Sequence, residues 1–281
     1  AIETQDLVKL TTTALSGLNS NNLPGLKTAQ LNALTTAQVA VLQSQQINTL
    51  NSQQLGAIQA EGIKRLTTSA IAGLNSANVT GLKTAQIEAL TTAHATLLNS
   101  NQVNALNSSQ VGAFETIDLA LLTTATLKGL NSANVPGLKT AQIEALTTAQ
   151  TAVLSSSQIN AFNSVQLGAL ETRDLVLLTS TAVAGFNSAN ATGLKTAQIE
   201  ALTTAQASML SSAAIDAMSS LQLTALQSQD VAVITTQALA GLNTANIGGL
   251  TTSNMAGLRT GQLAALNTTQ VTALTTLQIT A

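Results

Sequence analysis

The octapeptide KTAQIEAL fills residues 83–90 and recurs letter for letter at 139–146 and 195–202, 56 positions apart each time. Working outward from it, a cut after each residue equivalent to Leu90 divides the chain into octads with no insertion: TTTALSGL, NSNNLPGL, KTAQLNAL, TTAQVAVL and onward. Glu3 to Ala281 holds 34 complete octads and a last one of seven residues. Position 8 is Leu, Ile, Phe or Met in every complete copy, and position 5 is a large aliphatic in 31 of 35, the exceptions being Ala95, Thr151, Ala191 and Ala207. Position 2 is Thr or Ser everywhere except Ala60. Such regularity marks a repeat architecture.

A second period lies on the first. Octads opening with Lys begin at Lys27, Lys83, Lys139 and Lys195, and octads opening with Glu at Glu3, Glu115 and Glu171, all in a 56-residue frame. The chain reads as one continuous array over residues 1–281, in five blocks of seven octads: 3–58, 59–114, 115–170, 171–226 and 227–281. The fifth block is degenerate, with Thr251 where Lys is expected and Arg259 one octad later. Seven octads correspond either to one full superhelical turn, which would stack the four lysines in a row, or to a duplicated segment without geometric meaning.

The backbone must redirect within every octad. A continuous α-helix turns about 100° per residue, so eight residues rotate the apolar stripe by about 80° each time and it never faces one core. A continuous strand fails because positions 5 and 8 have opposite parity. The spacing therefore predicts an all-α solenoid of very short helices, one per octad. In the LTTAQ pattern, Thr at position 1 and Gln at position 4 form a capping box, while the preceding Leu and the residue at position 5 form a hydrophobic staple. Position 1 is Thr, Asn or Ser in 24 of 35 octads. Pro24 and Pro136 at position 6, each followed by Gly, oppose an unbroken helix. Those octads are single 3₁₀ or α turns, or the array is a β-solenoid with corners at positions 6 and 7. Two aliphatic side chains cannot order eight residues alone, so stability must come from neighbours along the coil. The small residue at position 7 lets units approach closely. In the fifth octad of each block it enlarges to Val41, Leu97, Val153 and Met209, while position 5 shrinks to Ala95, Thr151 and Ala207 in three of the four, a swap that reads as volume compensation in one core.

Composition narrows the function. The 281 residues are 45% hydrophobic, 1% aromatic and 8% charged, with 10 Lys and Arg against 12 Asp and Glu and no block of either sign. Nucleic-acid binding needs clustered basic residues, so it is disfavoured. There is no Cys, which removes disulfides and thiolate metal sites. No apolar run approaches the ~18 to 20 residues of a membrane span. AIETQDLVKL at the start carries no signal-peptide pattern, and the stretch begins and ends at position 7, which reads as a cut from a longer array or as a subunit continued by its neighbours.

Chemistry-bearing residues are few, and no catalytic, cofactor-binding or metal site is expected. His94 is the single histidine, so a multi-His metal site within one chain is excluded and a surface or capping position is expected. Asp6, Asp118, Asp174 and Asp230 share position 4, and Glu88, Glu144 and Glu200 share position 6. They read as solvated faces or as cross-repeat salt bridges with the lysines. Asn78-Val-Thr, Asn190-Ala-Thr, Asn107-Ser-Ser and Asn267-Thr-Thr match the glycosylation acceptor pattern, which arises by chance in so Asn- and Thr-rich a chain. Phe114, Phe162 and Phe186 occupy position 8 and read as core.

LTTAQVAVL at 34–42 and LKTAQIEAL at 82–90 resemble the LTTAQ-type arrays of very large secreted or surface proteins of Gram-negative bacteria, often labelled adhesins or haem-utilisation proteins. The likeness covers essentially the whole chain. The octads also look like the LSPEQLAAL repeats of the mesothelin and stereocilin group, but position 2 is never Pro here. The resemblance implies extracellular structural work. With the sequence it leads to the expectation of a rod, fibre or sheath segment on a bacterial surface, self-associating or continuing in a longer chain. The alternatives are a stalk or binding module of a giant adhesin contacting glycan or protein, and, more distantly, ice binding on a flat β-solenoid.

Overall fold

A computed structural model of the protein describes residues 2–281. Among them are 30 α-helices of four to six residues and five 3₁₀ turns, and no strand. The chain is all-α, and the β-solenoid alternative is not the fold. Contacts group the chain into two compact coils, Ala1–Leu138 and Lys139–Ala281; the octad frame runs through both, and each is described within itself.

Each octad builds its helix from local chemistry. Thr35 is extended (φ −69°, ψ 158°), its hydroxyl accepts from the Gln38 N–H at 3.2 Å, and the Gln38 Oε1 accepts from the Thr35 N–H at 3.0 Å. That reciprocal pair is the expected capping box, and Asn99 with Gln102 and Ser155 with Gln158 repeat it. Where Lys opens the octad only the second half forms, because an ammonium has no acceptor: the Lys83 N–H donates to Gln86 Oε1 at 2.7 Å. The helix ends as position 8 returns to extended backbone, as at Leu50 (φ −68°, ψ 136°). Two consecutive extended residues, positions 8 and 1, make the corner. Among the described residues none has positive φ, so the corner needs no glycine.

The third octad of each block is the exception. Leu23–Gly25, Val79–Gly81, Val135–Gly137, Ala191–Gly193 and Ile247–Gly249 are 3₁₀ turns. Here Asn stands at positions 1 and 4: Asn75 Oδ1 accepts from the Ala77 and Asn78 N–H groups at 2.9 Å, and the Asn75 N–H donates to Asn78 Oδ1 at 2.9 Å. Pro24 and Pro136 take the first turn of these short segments, where a missing N–H leaves nothing unpaired.

Positions 5 and 8 line the core of each coil, with Phe114, Phe162 and Phe186 buried there, except that position 5 of the last three octads, Leu263, Val271 and Ile279, is exposed. The volume swap is different from the expectation. Ala95, Thr151 and Ala207 are fully buried, but Leu97 and Met209 are exposed and Val41 and Val153 half-buried, so the enlarged position 7 does not refill the core vacated at position 5. The reason is direction: position 7 lies two residues beyond the inward-facing position 5 on a short helix and points toward the outer rim.

One superhelical turn takes about 28 residues, which is the sequence separation that recurs in the turn-to-turn hydrogen bonds. That is three and a half octads, so each octad lies across the junction of two octads in the turn before. Seven octads therefore make two turns, not one. Lys27 and Lys83 in the first coil, and Lys139 and Lys195 in the second, stand two turns apart rather than in adjacent rungs. Seven is the smallest whole number of octads that returns to the same place on the coil, and the 56-residue period acquires its geometric meaning from that.

Candidate functional site

A helix of four to six residues leaves most of its carbonyls without intrahelical partners. The Gln at position 4 supplies them across the turn. While its Oε1 caps its own helix, its Nε2 donates backward: Gln38 to Leu7 O at 3.0 Å and Leu10 O at 2.9 Å, Gln86 to Leu55 O at 3.1 Å and Ile58 O at 2.6 Å. In the second coil Gln262 reaches Val231 O at 2.8 Å and Ile234 O at 2.7 Å, and Gln278 reaches Ile247 O and Leu250 O at 2.9 and 2.7 Å. These glutamines are buried, and each amide joins two turns while starting a helix. In the 3₁₀ octads Asn does the same work, as with Asn246 Nδ2 to Ile215 O at 2.9 Å. A second, outer seam runs from position 1 to position 6 of the preceding turn: Asn75 to Asn48, Asn187 to Asn160, Asn243 to Asp216. Sequence reasoning found the capping half of Gln at position 4 and missed the bridging half, because nothing in a local pattern says where the amide nitrogen points.

His94 is buried, not at the surface, and it imitates Gln. Its Nε2 lies 2.9 Å from Leu66 O and its Nδ1 accepts from the Thr91 N–H at 3.3 Å. Those partners require the neutral Nε2–H tautomer. Burial lowers its pKa, opposed by the Leu66 carbonyl and by Asp118. A folded value below the ordinary one makes this histidine's contribution present above the usual imidazole range and lost as pH falls through and below it. His94→Gln is therefore expected to raise the thermal midpoint more at pH ~5 than at pH ~7.5, on either side of the ordinary histidine value; equal effects at both would contradict the bridging role.

The remaining candidates separate. Asp6 is exposed, but Asp118, Asp174 and Asp230 are buried, contrary to the expected solvated face. The physical reason is that position 4 faces the turn before, which Asp6 lacks within the described residues. Glu88, Glu144 and Glu200 are exposed, as are the four lysines. The expected cross-repeat salt bridges between them do not form: among the described residues the ion pairs are Lys9 with Asp6 and Arg173 with Glu171 and Asp174. Two turns of separation in the lysine row, and half an octad of offset between turns, keep the charges apart. Asn78 and Asn190 are buried, with Nδ2 committed to Ile47 O and Ile159 O at 2.9 Å, so no glycan can attach there. Asn107 and Asn267 are exposed N-caps accepting from Gln110 and Gln270 N–H at 2.9 Å.

Each coil carries an equivalent surface groove. One, of about 530 Å³, runs over Gly56 and Gly81 between Thr28, Ser52 and Lys83. The other, of about 420 Å³, repeats it 112 residues later over Gly168 and Gly193 between Thr140, Ser164 and Lys195. Among the described residues no group of three His, Cys, Asp or Glu side chains could hold a metal ion, and no helix is long and apolar enough to cross a membrane.

The family model described as the ALTTAQ repeat matches the chain seven times, at residues 1–35, 20–52, 55–92, 111–148, 135–164, 167–204 and 223–260. No curated protein matches the chain.

Proposed function

The chain belongs to the ALTTAQ repeat family, and from this premise we propose that it is a non-enzymatic structural segment of a bacterial cell-surface rod, fibre or sheath, working outside the cell. The observation that carries the reading is the seam. Buried Gln and Asn amides bond each turn to the one before with the same 28- and 31-residue separations throughout each coil, so the module can be extended turn by turn without a new kind of contact. The outer surface is rich in Thr, Ser, Asn and Gln and poor in charge, which suits lateral packing between copies and gives little for a catalytic or nucleic-acid site to use.

The twin grooves support the neighbouring reading, a stalk within a giant adhesin that touches glycan through hydroxyls and one lysine per groove. Ice binding loses its premise, because it needed a flat β-solenoid. Negative-stain electron microscopy over a range of concentrations separates the first two. Filaments of constant width are the expected result; discrete particles of one size at every concentration would overturn the self-assembling fibre in favour of a spacer within a longer chain.

A further inference from the structure

Position 4 is Ala or Gly in six octads, as at Gly62, Ala70 and Ala182, but where it carries a neutral polar side chain that side chain donates a proton to the turn before it. Gln does so throughout, Thr126 does so with Oγ1 to Leu98 O at 2.8 Å, and Asn254, one methylene shorter than Gln, reaches Leu226 O at 2.7 Å. Asp118, Asp174 and Asp230 hold the same position with exposures of 2, 2 and 0%. Asp has the shape of Asn, but an ionised carboxylate has no proton to give. The Oδ1 atoms of Asp118 and Asp174 and both carboxyl oxygens of Asp230 have no hydrogen-bond partner. The hydroxyls of Thr92 and Thr204, each on the turn before, lie beside the Asp118 and Asp230 carboxyl groups and favour their ionised forms, against the larger effect of burial. In all three cases the carbonyl 28 residues earlier belongs to the last residue of a KTAQIEAL copy: Leu90, Leu146 and Leu202.

We propose that Asp118, Asp174 and Asp230 are proton-binding sites of the seam, neutral carboxylic acids whose O–H donates to the Leu90, Leu146 and Leu202 carbonyls and whose ionisation loosens those rungs. An oxygen placed at the reach of Asn254 meets a carbonyl oxygen lone pair to lone pair unless a proton lies between them. Such a rung recurs every two turns, in register with the octapeptide written three times.

Burial is the largest influence on each of the three carboxyl groups, and it opposes ionisation, raising all three above the ordinary aspartate range. Around Asp118 the charged or titratable groups are His94 on the facing helix Thr92–Ala95 and Glu115 on its own octad. Around Asp174 they are Arg173, whose Nε lies 3.9 Å away and favours the ionised form, and Glu171; Thr148–Thr151 brings no charge, and Thr196–Glu200 brings only the exposed Glu200 with Lys195 at its cap. Asp230 meets no charged side chain from the helices packed on it, Thr204–Ala207 and Thr252–Gly257. A raised folded value means the contribution is full below the unfolded aspartate value and lost as pH rises through the folded one.

The test compares the full chain with the triple variant D118N/D174N/D230N, and with D6N, which changes the exposed aspartate at the same position. Between pH ~4 and ~8, across the aspartate range and beyond, the thermal midpoint of the unsubstituted chain is expected to fall relative to the triple variant by roughly 5 °C. D6N should follow the unsubstituted chain. The infrared difference between the unsubstituted chain and the triple variant at pH ~5.5, above the ordinary aspartate value, should show a protonated carboxyl stretch. A carboxylate band alone, or the same pH dependence in the triple variant, would overturn the proposal. So would a midpoint at the upper pH that rises with Na⁺, K⁺ or Ca²⁺ in the unsubstituted chain only, which would make the rung a cation site. Asn254 shows that the fold accepts Asn at position 4; should the triple variant still not fold, D230N alone decides by the same two readouts.

Discussion

Gly249→Ala is expected to destabilise the second coil by roughly 3 kcal/mol, the upper range for forcing atoms into a filled contact, while Gly248→Ala one residue earlier leaves it unchanged or stabilises it by about 0.4–1 kcal/mol. Both glycines lie in the same 3₁₀ turn, and neither has positive φ, so backbone freedom is not what distinguishes them. A methyl group on Gly248 would meet nothing within 4 Å, whereas on Gly249 it would run into the carbonyl of Ser220 on the preceding turn. Backbone cannot yield as a flexible side chain would, so the two turns must separate and the seam beside them stretches. Gly81 on Ser52 and Gly193 on Ser164 repeat the contact and should behave alike. Urea titration followed by circular dichroism reads the difference directly, and equal midpoints for the two substitutions would show that the glycine at position 7 of the 3₁₀ octads is not where the turns touch.

Gln206→Leu carries the second large effect. The Gln206 Oε1 accepts from the Thr203 N–H at 2.9 Å, and its Nε2 donates to Leu175 O, Val176 O and Leu178 O at 2.9, 3.2 and 2.8 Å. Leucine fills nearly the same space but strands two buried carbonyls and one N–H. At about 1–3 kcal/mol for each buried polar group left unpaired, the loss is roughly 2–5 kcal/mol. Gln206→Asn should recover much of it, since Asn254 bridges from the same position. Gln229 is exposed at position 3, so Gln229→Leu should stay within about 0.5 kcal/mol. If Gln206→Leu and Gln229→Leu melt together, the turns are held by apolar contact alone and the amide seam is incidental.

Much of the fold was legible because its signals are local. A capping box joins residues three apart, so Thr35 and Gln38 announce a helix start before any tertiary contact exists. Pro24 and Pro136 marked two of the five 3₁₀ octads as exceptions to an unbroken helix for an equally local reason, the absent N–H, while Val79–Gly81, Ala191–Gly193 and Ile247–Gly249 carry no such sign. The buried aspartates were misjudged because charge was weighed as a surface property. Position 4 is polar in 29 of 35 octads, and only its closeness to the turn before reveals that polar there means a buried donor.

The sequence by itself determined the octad frame, the redirection of the backbone within every octad, most core positions and the helix caps, since each follows from contacts within a few residues; the choice of helix over β-solenoid came from the structure. The tertiary structure alone decided that three and a half octads close a turn, which carbonyls each Gln and Asn reaches, and that Asp118, Asp174 and Asp230 lie inside. The pitch is the accumulated rotation of successive extended corners at positions 8 and 1. A small angle at each corner, summed over a turn, places residue 38 over residues 7 and 10, and no spacing within one octad carries that sum.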